Sequence, residues 1–378
     1  MPDKRQDEIT RFDHKLPLAS ALTPPSSWYT DSGIYRLEMQ RAFGNNWLIA
    51  ARADQVDQPT RYVCGEIAGE RYVVVRGEDG ELRAFFNVCR HHAAAVVEGE
   101  GNIKRFACPY HGWTYGLDGR LANAPELGEV QDFDPDHFGL KSIAVDTWGP
   151  FVFICMGATP RDLAEDLQPL KEALDATKFE SLTFIKRQTY TIECNWKVYI
   201  DNYLDGGYHV AYLHKGLAEQ LDLASYGTRV FERFSIQSGS AAEPTAEPKK
   251  AGPARAGGDF AERIGKHVLY AWLYPNFMIN RYGSIMDTNC VRPLGVDRTE
   301  VVFDYYFHEA EGAQAQDFIR RSLAASDLVQ QEDTGICEAV QMGLLSRSYD
   351  QGRYSAQREM GEYHFHRLLA EDLNEGAA

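Results

Sequence analysis

Hydrophobic positions along this chain change their spacing near residue 160, and the change divides the sequence into two folding problems. Before it, short β-branched and aromatic runs alternate with turn signals. In RYVVVRGEDGELRAFFNV, residues 71–88, two such runs flank Asp79-Gly80, and YGLDGRL repeats the device at Asp118-Gly119. An Asp-Gly pair has the backbone freedom that a tight hairpin demands, so the first half is predicted to be all-β. After the change, LAEDLQPLKEAL has apolar residues at helical spacing, and the stretch from Trp196 to Leu223 mixes helix-compatible pieces with glycine breaks. VLYAWLYPNFMINRY and EVVFDYYF then read as strands, and residues 313–345 as a long helix. The second half is therefore predicted to be α+β.

Composition narrows the picture. The 378 residues are 44% apolar, enough for sizeable cores, and divide into an N-terminal segment (1–44), a β domain (45–160) and a second domain (161–378). Residues 239–259, rich in Ala, Pro, Gly and charge, are expected to form a flexible surface loop. The formal charge of -16, with no Lys/Arg-rich run, argues against nucleic-acid binding, which depends on neutralising phosphates. MPDKRQDEITRFDHKLPLAS has acids among its bases and no apolar core, so it reads as neither a secretory nor a transit sequence. FVFICM, from Phe151, is far shorter than the roughly 20 residues of a membrane span. A cytoplasmic protein without membrane contact is expected. Seven cysteines, an odd number, then imply reduced thiols, so a special cysteine is a metal ligand or a nucleophile.

Two motifs in the β half supply such thiols. CRHH and CPYHGW offer Cys89 with His91 and Cys108 with His111, each pair in a short loop after a strand-like run. Two cysteines and two histidines can hold structural zinc, or a Rieske [2Fe-2S] cluster in which thiolates bind one iron and imidazoles the other. Zinc fingers group like ligands together, whereas here each loop brings one of each. The mixed pairing favours the cluster, and His92 falls outside the pattern as a polar loop residue.

A second constellation lies in NYLDGGYHVAYLH, residues 202–214. On an ideal helix His209 and His214 would sit about 140° apart, so they share an ion only if the backbone bends, and Gly206 and Gly207 permit that. Asp205 precedes His209 by four residues, a spacing that on a helix lets the carboxylate reach the imidazole. In SDLVQQEDTGICEAVQMGLLS, a helical projection puts Asp333 at the centre of a stripe formed by Val329, Ile336, Cys337, Val340 and Leu344. An unpaired carboxylate is almost never left in such a stripe, which makes Asp333 a ligand candidate unless Arg320 or Arg321 pairs with it. Glu332 falls about 100° away, at the stripe's edge. Two histidines and one carboxylate form the facial triad of non-haem iron oxygenases.

With both motif sets in view, the sequence resembles the Rieske non-haem iron oxygenase α subunits over nearly its whole length. DNYLDGGYHV, YPNFMINRYG, MDTN, QQEDTGICEAVQ and GRYSAQREMGEYHFHRLL are similar to the choline monooxygenase subgroup. The resemblance implies an α+β fold: an all-β Rieske domain followed by a helix-grip (START/Bet v 1-like) catalytic domain, with an antiparallel sheet and a long C-terminal helix. It implies a cluster held by Cys89, His91, Cys108 and His111, mononuclear Fe(II) held by His209, His214 and Asp333, and Asp205 as the bridging acid between them. Many family members carry that acid three residues before the first histidine, where this chain has Gly206; Asp201 is the fallback. A homotrimer, with each cluster serving a neighbour's iron, is also implied.

For substrate, the resemblance points to choline, hydroxylated to betaine aldehyde hydrate with O2. Its permanent cation suits a cage of aromatic faces, and Tyr270, Trp272, Tyr274, Phe277, Tyr282, Tyr305 and Tyr306 are candidates. No G-x-G-x-x-G loop is present, so a separate ferredoxin or flavin reductase is expected to supply the electrons. The alternatives are another N-methyl compound or an aromatic acid as substrate, or a zinc-stabilised binding protein without redox activity.

Overall fold

The computed structural model describes residues 4–242 and 263–374. Its chain divides into two compact units, residues 42–166 and residues 1–41 with 167–378. The first is built from strands. A seven-stranded antiparallel sheet has the order β1-β10-β9-β4-β3-β2-β5, where β1 is Leu48–Arg52, β2 Arg61–Ile67, β3 Glu70–Arg76, β4 Leu82–Phe86, β5 Glu100–Asn102, β9 Ser142–Trp148 and β10 Phe151–Cys155. The expected Asp79-Gly80 turn joins β3 to β4, with Arg76 opposite Leu82. FVFIC is apolar throughout because every residue of β10 is buried. A small three-stranded sheet, β6 (Phe106–Ala107), β7 (Thr114–Tyr115) and β8 (Leu121–Asn123), turns at Asp118-Gly119.

The second unit carries another seven-stranded antiparallel sheet, ordered β11-β17-β16-β15-β14-β13-β12. Its strands are β11 Thr183–Ile192, β12 Leu221–Val230, β13 Phe234–Ala241, β14 His267–Leu273, β15 Phe277–Tyr282, β16 Ile285–Gly295 and β17 Arg298–Phe307. The 32-residue helix Ala313–Leu344 lies across it. Asp327 of that helix accepts hydrogen bonds from Gln188 and Tyr190 of β11, and Ser326 meets the Tyr305 hydroxyl at 3.0 Å. This is the helix-grip domain, closed by the C-terminal helix Met360–Asn374.

The helix Trp196–Leu204 starts at Asn195, whose side chain accepts a hydrogen bond from the Lys197 amide and satisfies a free donor of the first turn. Its start is anchored by a charge pair with no exposure at all, Lys197 Nζ to Glu38 at 2.7 Å. The Trp196 indole also donates to Glu38. Removing one partner would strand the other charge in the core, so the pair fixes where this helix begins.

Two expectations change. The segment after Leu204 is not a broken helix throughout, because residues 221–230 form β12, the edge strand of the sheet. The start of the loop expected at 239–259 is strand. Gly239 and Ser240 pair with Val268 and His267 as the end of β13, and residues 243–259 lie outside the described residues.

Candidate redox and iron centres

Cys89 and Cys108 sit at equivalent places in two loops of the same form. In one, the Cys89 amide donates to Ala94 O at 2.8 Å and the Ala93 amide to Cys89 O at 3.0 Å; in the other, Cys108 donates to Trp113 O at 2.8 Å and Gly112 to Cys108 O at 3.1 Å. Both closing residues, Ala93 and Gly112, have left-handed backbone. The two thiols are buried in one core cluster with Phe106, Trp113 and Tyr115, while His111 and His92 are exposed and His91 is half-buried. The His91 and His111 rings lie 4.7 Å apart, and His91 stacks on Trp113 at 4.8 Å. Burial, with His92 and His111 beside it, holds His91 below the ordinary imidazole pKa. His92 is closer than a plain loop residue: one of its ring nitrogens lies within 4.8 Å of one from His91 and one from His111. Buried thiols with imidazoles toward solvent suit a two-iron cluster whose two metals see different surroundings. The Tyr115 hydroxyl lies 3.2 Å from Cys89 Sγ and accepts from the Arg90 amide.

In the other unit, His209, His214 and Asp333 offer ligand atoms within 4.8 Å of one another. The bend that two histidines five apart require is present. Gly206 and Gly207 both have left-handed backbone, His209 opens a single 3-10 turn, and His214 precedes the short helix Lys215–Ala218. His214 Nε2 is 3.0 Å from Asp333 Oδ1 and His209 Nε2 is 3.9 Å from it. The far nitrogens are both held by carboxylates: His209 Nδ1 by Asp205 at 2.7 Å, His214 Nδ1 by Glu332 at 2.7 Å. Carboxylates on Nδ1 fix each ring's tautomer and leave both Nε2 atoms, with Asp333, free to face a metal. Burial works to lower the His214 pKa, but Asp333 and Glu332 outweigh it and hold it above the usual value.

Two expectations hold for other reasons than the spacing suggests. Asp205 reaches His209 although it is the C-cap of Trp196–Leu204 and not part of a continuous helix; its carboxylate also accepts the Tyr208 and His209 amides across the glycine turn. Asp333 is sheltered, with 13% side-chain exposure, but its stripe is only partly the apolar one expected: Cys337 and Leu344 are buried, Ile336 and Val340 are exposed, and Ser326, Gln330 and Gln341 are buried as well. Polar residues are tolerated on that face because partners await them, such as Tyr199, which donates to Gln330. Arg320 and Arg321 pair with Asp317, not Asp333, which accepts from Asn202 at 2.8 Å.

The three residues line a cavity of about 150 Å³. Sheet register builds much of its wall, since Asn280 lies opposite both Tyr270 and Asp287, and Asn289 opposite Phe303. Of the aromatic candidates, Tyr270 and Tyr282 line it. Trp272, Tyr274 and Phe277 do not: Trp272 packs on Phe365, and Tyr274 bonds Asp372. Neither do Tyr305, which is held by Ser326, or Tyr306, which packs on Phe184. Tyr199, Tyr203, Tyr226 and Phe303 take their place.

The comparisons agree with this geometry. Residues 46–134 match the Rieske [2Fe-2S] domain model, and residues 179–375, more than half the chain, match the ring-hydroxylating α subunit (catalytic domain) model. The chain belongs to the Rieske non-haem iron oxygenase family. Among its relatives, the chloroplastic choline monooxygenase of Arabidopsis thaliana is 44% identical, over 97% of this chain and 86% of that protein. The carnitine monooxygenase oxygenase subunit of Escherichia coli (strain K12) is 32% identical over 93% and 94%. A crystal structure of the quaternary ammonium Rieske monooxygenase CntA superposes with a TM-score of 0.81, at 28% identity over 96% of this chain and 99% of that one.

As a Rieske oxygenase the protein is a monooxygenase that uses a [2Fe-2S] cluster and mononuclear iron, and the family draws its electrons from a separate ferredoxin or reductase. Among the described residues, no helix is long and apolar enough to cross a membrane. The sequence reading missed Glu332 and Asn202 beside this oxygenase's iron centre. Asn202 carried no signal. Glu332 did: the stripe edge that disqualified it as a ligand is where it meets His214.

Proposed function

We propose that this chain is the terminal oxygenase that converts choline to betaine aldehyde hydrate. The overall change is choline + O2 + 2 electrons + 2 protons → betaine aldehyde hydrate + water. In this reading Cys89, His91, Cys108 and His111 hold the cluster, and His209, His214 and Asp333 hold the iron. When bound, the iron supplies O2 activation and the cluster supplies electrons one at a time. The observation that carries the ligand assignment is the pair of carboxylates on the outer nitrogens of His209 and His214. They orient both imidazoles and add negative charge that favours a divalent cation.

Asp205, already bonded to His209, is the acid through which a neighbouring subunit's cluster reaches the iron, in a homotrimer. Asp201 suits that role less well, because it is engaged by Tyr29 and His366. A reducing compartment such as the cytoplasm suits seven cysteines with no disulfide among them.

Choline is favoured by a wall of neutral phenols. Tyr270 meets Tyr203 at 6.5 Å, Tyr226 at 6.2 Å and Tyr282 at 6.1 Å between ring centres, and burial raises all four hydroxyls above their ordinary pKa. A quaternary ammonium group against such faces gains ~0.5–2 kcal/mol per desolvated ring. The test supplies reductase-fed protein with choline, L-carnitine, glycine betaine or aromatic acids under O2 and identifies products by mass spectrometry. Choline-dependent betaine aldehyde is expected; a hydroxylated aromatic acid as the favoured product would refute the reading.

A further inference from the structure

Resting on the reading above, one cavity residue specifies which part of the substrate is recognised besides its cation. Asn289 of β16 is 2% exposed and lines the cavity, and its Nδ2 has no hydrogen-bond partner among the described residues. A buried amide donor is seldom left so, because burial strips it of water without replacement.

Its orientation is dictated by neighbours. Asp287, two residues earlier on the same strand face, can only accept. Its Oδ1 therefore takes a hydrogen bond from Asn280 Nδ2 at 2.7 Å, which turns the Asn280 oxygen toward the Tyr203 hydroxyl, also at 2.7 Å. Asn280 Nδ2 donates in addition to Asn289 Oδ1 at 2.8 Å, so the oxygen of Asn289 is used and its NH2 is left over.

The Arg263 cation in the cavity wall is already paired. Arg263, 6% exposed, donates from Nη2 to Asp287 at 2.9 Å and to the Tyr282 hydroxyl, and from Nη1 to Ser322 O. Both Nη2 hydrogens are committed, and Asp287 cancels the charge.

We propose that Asn289 Nδ2 donates a hydrogen bond to the hydroxyl oxygen of the substrate, and that the cavity is built for a quaternary ammonium alcohol and not for one bearing a carboxylate. The tyrosine faces hold one end of such a molecule and Asn289 the other, which orients the carbon bearing the hydroxyl.

The test is a cycle between residue and ligand. Dissociation constants of choline and of ethyltrimethylammonium, which lacks the hydroxyl, are measured anaerobically on iron-loaded wild type and N289A. Loss of one hydrogen bond predicts that N289A weakens choline about tenfold and leaves ethyltrimethylammonium within about twofold. Equal weakening of both ligands would overturn the proposal. Wild-type turnover gives a second measure that needs no variant: choline should exceed L-carnitine in kcat/KM by about 100-fold or more. Equal use of the two would overturn the exclusion of carboxylates while leaving the oxygenase reading intact, whereas oxidation of neither would remove the reading itself.

Discussion

A single hydroxyl sets how the proposed cluster behaves as an electron carrier. Tyr115 accepts from the Arg90 amide, so its own proton is available to Cys89 Sγ. A hydrogen bond to a cluster sulfur stabilises the reduced, more negative state. A difference of ~1 kcal/mol between oxidation states corresponds to about 40 mV for one electron. Y115F should lower the midpoint potential by roughly that amount in a redox titration of the visible spectrum; an unchanged potential would remove Tyr115 from the account. His364 makes the pH prediction at the same scale. Burial first, and Arg367 next, lower its pKa from 6.5 to about 4, so the folded chain prefers the neutral ring. Unfolded chain binds the proton from about pH 6.5 downward, so stability is lost as pH falls from about 6.5 to about 4, by an amount on the order of 2–3 kcal/mol. H364Q should flatten that limb in denaturant titrations, and a wild-type slope in the variant would contradict it. Local motif spacing made it legible that Cys89 and Cys108 come together, and the two are buried in one cluster. Single residues were illegible where the partner came from a distant segment, as with Glu332 on His214.

At the scale of elements, the turn after Trp196–Leu204 decides whether the second centre can form. A Cβ on Gly206, whose φ is +69°, would stand 2.2 Å from the Arg358 carbonyl oxygen. That contact is with backbone, not with the end of a flexible side chain. G206A should cost about 3 kcal/mol, from the left-handed backbone and the clash together, and should lower iron content as His209 shifts. G227A, in open space on β12, should change stability by less than about 0.5 kcal/mol. Comparable melting temperatures for the two variants would contradict this view of the turn. The glycine pair was visible in the sequence as a bend, yet the angle of the bend was not. Strands β14, β15 and β17 announced themselves through apolar and aromatic runs, whereas β16, which carries Asp287, Asn289 and Arg292, and β12, with its exposed Asp222, Ser225 and Arg229, offered no such run to read. For the same reason the helical projection from Asp333 misjudged its neighbours: Gln330 and Gln341 are buried with partners, which no polarity scale anticipates.

For the whole molecule, two compact units each gather one ligand set, and both family models agree with that division of labour. The fold class was recoverable because the Rieske and triad motifs each specify a scaffold, while the substrate end of the cavity depends on sheet register that sequence spacing does not encode. The central claim is that His209, His214 and Asp333 hold a catalytic iron separate from the cluster. Its most direct measurement is iron, sulfide and choline turnover in reconstituted wild type and D333A. The account predicts about three irons and two labile sulfides per wild-type chain, and in D333A about two irons, unchanged sulfide, the same brown spectrum and no turnover. A D333A protein that keeps its third iron and oxidises choline at the wild-type rate would contradict it.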